Sequence, residues 1–585
     1  MSGFLALAYV DGRRASREIL FESQRILERR GPHGSEMWIG EDAACCFTRF
    51  ISHDGERNQG IVRLGDGGRL VGHVRIDDRR IRGASPGAES DAALFAHVLE
   101  ANGYADPCAP PGDYSIATVH PSPSPLALRA WRDPLGVRLL YYVNSGGMIA
   151  VSNTIEALLA LPGVNGAVHH DTVSQWLTTG FPGDRTRTWY ADVRSVLPGQ
   201  LLCVSRDGAM TLGAPWRPPD APTIRYRNAR DYPAHFLDVL NEAVRARLRT
   251  DRTAIFMSGG LDSTSIAAVA SRTAADRSQI RCVTNVFTHS VPNTETTFAR
   301  TAAGASGLEL DEVDADTFGY LDDRDDATRR ITPPGEPGFA LWCELVRRGA
   351  RFGTAALMGY DGDALLRPPG IRSLLRERSP LQATLDVARH VLVHGRRPHL
   401  GVRALFTRPQ PVRRWPWVID GGVATEKAHA TIPDSARRQE MYAGLTAPPW
   451  QHLFELIDFG LTGVLLDVRF PFLDRRIIEY VAGIPPIPWC QNKLLLREAM
   501  RSMLPDTVRL RHKQPFAGYM ESRLRQLATT HGRNVHIPGS PDARLSEFVN
   551  LRTVPDALPI GDIDQSLALL RVRELNDWLE AHPPK

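Results

Sequence analysis

Residues 258–264 read Ser-Gly-Gly-Leu-Asp-Ser-Thr and follow directly on the apolar run Thr253-Ala-Ile-Phe-Met257. The stretch Ser265-Ile-Ala-Ala-Val-Ala-Ser-Arg272 after them is suited to a helix. A short strand, a glycine pair and a helix start together make a place for a polyphosphate. Glycine lets backbone N–H groups approach an anion with no Cβ in the way. The positive end of the helix dipole faces the same point. The hydroxyls of Ser258, Ser263 and Thr264 are expected to add donors, with Gly259, Gly260 and Leu261 supplying backbone. Asp262 puts a carboxylate among anions, which calls for Mg²⁺ between them. The chain has no G-x-x-x-x-G-K-[ST], so the loop is not that of a γ-phosphate-transferring P-loop protein.

At 585 residues the chain exceeds one ordinary core, and two domains are expected. Charged residues make up 23 % of it, as in a soluble globular protein, and no apolar run approaches a membrane span. The opening Met1-Ser-Gly-Phe-Leu-Ala-Leu-Ala-Tyr-Val-Asp-Gly reads as a strand and turn rather than a signal peptide. Seven scattered cysteines, with a doublet at Cys45-Cys46 and no C-x-x-C, argue against structural zinc and a disulfide framework. A reducing cytoplasm is then the expected location. A net charge of +4 is too small to argue for nucleic acid.

A proline-rich stretch, about Asp207 to Asp231, marks a boundary between domains at 1–212 and 228–585. Before it, β-like runs at 4–10, 60–64, 70–74, 115–119, 126–131, 139–143, 148–152 and 200–204 surround helices at 18–29 and 91–102. After it, helix and strand alternate: helix 232–249, strand 253–257, helix 263–272, strand 280–287, helix 294–306, strand 308–313. Such alternation predicts a parallel sheet with helices on both faces and a ligand at the carboxyl ends of its strands.

The loop resembles the pyrophosphate loop of the ATP pyrophosphatases, which split ATP into AMP and pyrophosphate. More of the chain resembles the asparagine synthetase B superfamily. The segments that carry this are Glu28-Arg-Arg-Gly-Pro-His-Gly34, Ser90-Asp91, Trp131-Arg-Asp-Pro-Leu-Gly-Val137, Met358-Gly-Tyr-Asp-Gly-Asp363, Asp467-Val-Arg-Phe-Pro-Phe-Leu-Asp474, Asn492-Lys-Leu-Leu-Leu-Arg497 and Arg509-Leu-Arg-His-Lys-Gln-Pro-Phe516. The resemblance implies an α/β plus α+β chain. An N-terminal glutaminase-like αββα sandwich of the Ntn type would precede an adenine-nucleotide α-hydrolase-like synthetase domain with a helical C-terminal part. It also implies ATP and Mg²⁺, with Asp262 and Asp363 as metal ligands. Nucleotide contacts fall on residues 258–264, on Val286, on Gly359 and on Lys493. Lys513 stands where the family's lysine stabilises charge during acyl transfer.

The departures narrow the chemistry. A glutaminase of this family needs a cysteine after Met1, because a thiolate attacks the glutamine amide. This chain has Ser2, and the family's Asn-Gly-Glu segment falls on Gly72-His-Val74. The first domain is therefore expected to be catalytically silent, and the attacking amine to belong to the substrate. Tyr360 replaces the glutamate of asparagine synthetases and is similar to the tyrosine of β-lactam-forming enzymes, with Asp467 in place of its acid partner. The phrase Ile484-Pro-Pro-Ile-Pro-Trp-Cys-Gln-Asn-Lys-Leu-Leu-Leu-Arg-Glu-Ala-Met500, and Gly362-Asp-Ala-Leu-Leu366, resemble the lasso-peptide cyclases. That branch implies a precursor peptide as substrate, with a leader peptidase and a leader-recognition protein as pathway partners. β-Lactam or carbapenam synthesis and an asparagine synthetase-like amidotransfer remain as alternatives. Segment 367–414 carries eleven arginines against Glu377 and Asp386 and reads either as a solvated helical insert or as a docking face.

Overall fold

The computed structural model describes the chain except residues 80–89, 104–110, 217–221, 291–293, 320–321, 323–329, 334, 336–337, 402–411, 420–437, 448, 513–518, 537 and 583–585. In the N-terminal part, strand Gly3–Tyr9 alternates strictly between two environments. Phe4, Ala6 and Ala8 enter one apolar core, while Leu5, Leu7 and Tyr9 enter another. With side chains alternating across a strand, two apolar sets bury both faces, so the strand must lie between layers. Around it runs the antiparallel sheet Arg194–Ser195, Tyr141–Ser145, Met148–Ser152, Gly3–Tyr9, Ala43–Thr48, Ser35–Ile39. A second antiparallel sheet packs on it: Met210–Leu212, Leu201–Ser205, Leu126–Arg132, Gly112–Val119, Arg69–Ile76, Val62–Arg63. Helix Arg17–Glu28 covers the outer face of the first sheet and helix Asp91–Ala101 that of the second, completing the αββα sandwich.

The cysteine doublet follows the same rule. Cys45 points into the inter-sheet core and Cys46 into the helical layer, so the neighbours face opposite ways as free thiols. Burial pushes the Cys46 thiol up to about 12.

The C-terminal part is built on a five-stranded parallel sheet, ordered Glu309–Asp314, Ile280–Val286, Thr253–Phe256, Ala355–Met358, Asp467–Arg469. Phe256 lies opposite both Val283 and Met358, which brings the chain leaving three adjacent strands to one edge. Helix Asp231–Arg247 packs Phe236, Leu240, Ala243 and Val244 inward, one stripe at helical spacing. Helix Ile563–Ala581 returns to the first unit, where Trp578 meets Trp189 with ring centroids 5.6 Å apart. Among the described residues, no helix is long and apolar enough to cross a membrane.

The two units meet across buried ion pairs. Arg138 of the first unit lies 2.7 Å from Asp467 of the second. Arg247 of the second reaches Asp77 of the first at 3.3 Å and Asp474 of its own unit at 2.7 Å. Arg75 pairs with Asp113 at 2.5 Å and Arg469 with Asp467 at 2.7 Å. Arg30 pairs with Asp458 across the same boundary. Removing one member of a buried pair leaves a charge with no compensation. We expect Arg247→Met to cost about 3–5 kcal/mol in urea unfolding, whereas an exposed pair such as Arg25–Glu22 should tolerate Arg25→Met within about 0.5 kcal/mol.

Candidate functional site

The loop 258–264 leaves the carboxyl end of Thr253–Phe256 and enters helix Leu261–Thr273 at an N-cap of Gly260, which supplies no side chain to cap it. The first-turn N–H groups are thus available to an anion. Gly259 is required sterically, since a Cβ there would come within 2.2 Å of the Glu295 carbonyl oxygen. Ser263 donates to the Ser258 carbonyl at 3.0 Å and sits 3.1 Å from its hydroxyl, which closes the turn. Thr264 corrects the expectation from sequence. It is fully buried and its hydroxyl donates to the Gly260 carbonyl at 2.9 Å, so it braces the helix and offers a ligand nothing.

Gly359 and Tyr360 follow the neighbouring strand Ala355–Met358. A Cβ on Gly359 would meet Ser263 Cα at 2.7 Å, and one on Gly362 would meet Asp262 Oδ1 at 2.4 Å. These two glycines let the loops touch. Lys493 arrives from a third segment and its ammonium lies 2.5 Å from Asp262 and 2.6 Å from Asp363. Its backbone is left-handed, as is that of Asn492. Non-glycine residues enter that region at a cost, and such strain clusters at functional sites. Val286 ends its strand at the same edge of the sheet and is buried.

Asp361 was not singled out from sequence. It too is left-handed, is 6 % exposed, and neither carboxylate oxygen has a hydrogen-bond partner. Burial, then the charges of Asp262 and Asp363, raise its carboxyl well above the usual range. The signal that would have found it is the acid spacing Asp361-Gly-Asp363 beside a loop that already holds Asp262. An orphaned buried carboxylate beside two others fits a cation, as does the ammonium that bridges Asp262 and Asp363. Among the described residues no cluster of three metal-type ligands closes a site by itself, so phosphate oxygens would have to complete it.

Tyr360 is 42 % exposed, with its ring against Trp450 at 6.1 Å between centroids. Its expected partner is elsewhere. Asp467 is paired in register with Ala355, at the start of the strand whose far end Tyr360 follows, so the two stand toward opposite ends of the sheet. Burial alone would raise the Asp467 carboxyl, but Arg138 and Arg469 outweigh it and hold it well below the usual range. Asp467 is a structural anion, and the Tyr360–Asp467 dyad does not form. Lys513 lies outside the described residues. Its neighbour Arg511 does reach the loop, donating to the Gly259 carbonyl at 3.0 Å and pairing with Glu295 at 3.2 Å. Arg509 instead pairs with Asp506 at 2.8 Å.

In the first unit Ser2 is buried. Its hydroxyl accepts from the Phe50 N–H at 3.1 Å and its carbonyl accepts from Asn153 Nδ2 at 2.9 Å. His73 is buried with neither ring nitrogen bonded, and burial followed by the Arg138 charge keeps it neutral.

The sandwich and the nucleotide-type loop define a two-part molecule of the amidotransferase–synthetase kind. The family model for asparagine synthase matches residues 235–579 and that for the glutamine amidotransferase domain matches residues 1–213. The chain belongs to the asparagine synthase family. It is 22 % identical over 422 residues to asparagine synthetase [glutamine-hydrolyzing] 3 of Bacillus subtilis (strain 168), covering 66 % of this chain and 64 % of that protein. It is 28 % identical over 204 residues to amidase chyE of Penicillium rubens, covering 32 % and 30 %. The match thus spans under two thirds of either relative. Among solved structures, glutamine phosphoribosylpyrophosphate amidotransferase from B. subtilis aligns over 65 % of this chain and 78 % of its own, with 12 % identity and a TM-score of 0.26.

The Asp361 geometry has a pH signature. A carboxyl raised by folding favours its protonated form in the native state, so stability declines as pH rises from the ordinary carboxylate range toward the folded pKa. Asp361→Asn should raise the melting temperature at pH 8, by the equivalent of about 1–3 kcal/mol, and flatten its fall between pH 5 and 8. Thermal melts across that range check both.

Proposed function

We propose that this protein is an ATP- and Mg²⁺-dependent peptide macrocyclase of the lasso-peptide cyclase kind. The observation that carries the reading is the loop 258–264, whose uncapped helix start is faced by Asp262, Lys493 and Asp363 held together. An Asp or Glu side-chain carboxylate of a leader-free peptide attacks the α-phosphorus of ATP. The bond to the β-phosphate breaks, giving an acyl-adenylate and pyrophosphate. The peptide's N-terminal amine then attacks the acyl carbon, loses a proton and expels AMP, leaving an isopeptide bond.

Asp262 and Asp363 would hold Mg²⁺, which would supply neutralisation of phosphate charge, and Lys493 would then contact the pyrophosphate. The loop N–H groups orient the polyphosphate. Tyr360, exposed beside Gly359, would take the amine proton without Asp467. Lys513 stabilises the acyl oxyanion by the family resemblance. Ser2, tied to Phe50 with neutral His73 near it, supports a nitrogen source other than glutamine. Holding amine and adenylate in one peptide supplies the high effective molarity that closure needs. The Bacillus relative, named a glutamine-hydrolyzing asparagine synthetase, supports an alternative, an asparagine synthetase-like amidation of the activated carboxyl.

The test supplies ATP, Mg²⁺ and a candidate precursor core peptide, and follows nucleotides and peptide mass. Loss of one water with equimolar AMP is expected, and ADP in its place rejects adenylation. Exchange of a carboxyl OH for NH2, instead of ring closure, selects the alternative. Asp262→Ala and Lys513→Ala should each lower turnover about 100-fold or more, while Ser2→Ala should leave it unchanged.

A further inference from the structure

A cleft lies between the two units, apart from the loop 258–264. Leu139, Trp189, Ile331 and Leu461 give it apolar walls. Its odd member is Arg185, 7 % exposed. The guanidinium donates to the Thr446 carbonyl at 2.7 Å, and among the described residues Nε has no hydrogen-bond partner and no carboxylate pairs with Arg185. Burial, then the charge of Arg132, pulls Arg185 down to about 10, so it is held at a real cost. Arg132, fully buried behind the cleft, bonds only neutral oxygens: the Arg138, Val196 and Gly136 carbonyls, Ser195 Oγ and Gln451 Oε1.

The cleft's own acids do not answer this charge. Asp458 is taken by Arg30. Asp184 accepts from Thr186 at 2.7 Å and lies 3.9 Å from Arg187. Glu455 accepts from Tyr141 at 3.0 Å and Gln451 at 3.1 Å, and burial raises its carboxyl. Among the described residues Glu156 makes no ion pair with Arg185. A buried guanidinium with an unsatisfied nitrogen, lining an apolar-walled cleft, matches a carboxylate.

We propose that this cleft binds a carboxylate ligand through Arg185. The position gives it a route to the chemistry. Thr446 and Gln451 flank Trp450, whose indole donates to the Gly444 carbonyl and whose ring meets Tyr360. A carboxylate on Arg185 therefore sits against the segment that supports Tyr360. The proposal does not depend on which amine attacks the activated carboxyl. A small dicarboxylate and the free C-terminus of a peptide share the required chemistry.

The test is thermal melting of the full chain without nucleotide. Succinate is compared with succinamide, and N-acetyl-Ala-Ala-Leu-Gly as free acid with its C-terminal amide. At least one acid should raise the melting temperature in a concentration-dependent way while its amide does not, and which acid does so identifies the source. Arg185→Met should raise the melting temperature of the ligand-free protein, since it removes an uncompensated charge, and abolish the acid-dependent rise. Arg185→Lys, which keeps the charge but not the fork, should weaken the acid at least tenfold. Asp262→Ala should leave the rise intact. Equal shifts with acid and amide, no shift with either acid, a rise that survives Arg185→Met, an acid that acts on Arg185→Lys at undiminished potency, or a rise lost in Asp262→Ala would each overturn the proposal.

Discussion

The buried ion pairs between the two units are the constraint on which the arrangement rests. Arg75, Arg138, Asp77 and Asp113 come from the first unit, and Arg247, Arg469, Asp467 and Asp474 from the second. Each side pairs part of its own set, and Arg138–Asp467 and Arg247–Asp77 join the two sets across the boundary. Desolvating so many ions is worthwhile only with near-complete pairing. That requirement fixes the docking of sandwich on parallel sheet, and it commits Asp467 to structure at the amino ends of the strands. The carboxyl ends are left to carry chemistry.

At those ends, three segments distant in sequence converge on one cation position. Lys493 holds Asp262 and Asp363 together, and two glycines allow the approach. Asp361 adds a third carboxylate with no partner. The arrangement is held as a lysine bridge, ready for the Mg²⁺ exchange proposed above. The left-handed backbone at Asp361, Asn492 and Lys493 is the local cost of that readiness.

Much of this was legible in the residues. The helix–strand alternation after 232 predicted a parallel sheet, and five parallel strands are found. The strand expected over 148–152 and the helix over 294–306 have those bounds. Strand Ala43–Thr48 escaped notice because alanine and cysteine carry little β signal, although burial on both faces makes it central. Helix His170–Thr179 was missed for want of a clear apolar stripe: polar Thr172, Ser174 and Gln175 are buried with Val173 and Trp176. The Tyr360–Asp467 pairing failed because linear motifs carry no register; only the ladder shows Asp467 opposite Ala355. Thr264 failed because a hydroxyl's choice between ligand and helix carbonyl is set by burial.

The central claim is that the loop 258–264 activates a substrate carboxyl as its adenylate. It is tested most directly with a peptide whose Asp or Glu side-chain carboxylate carries ¹⁸O on both oxygens, turned over with ATP and Mg²⁺. The account predicts one ¹⁸O atom in the phosphoryl group of each AMP released, and one retained in the new amide. AMP without label, or label recovered in orthophosphate, would contradict it.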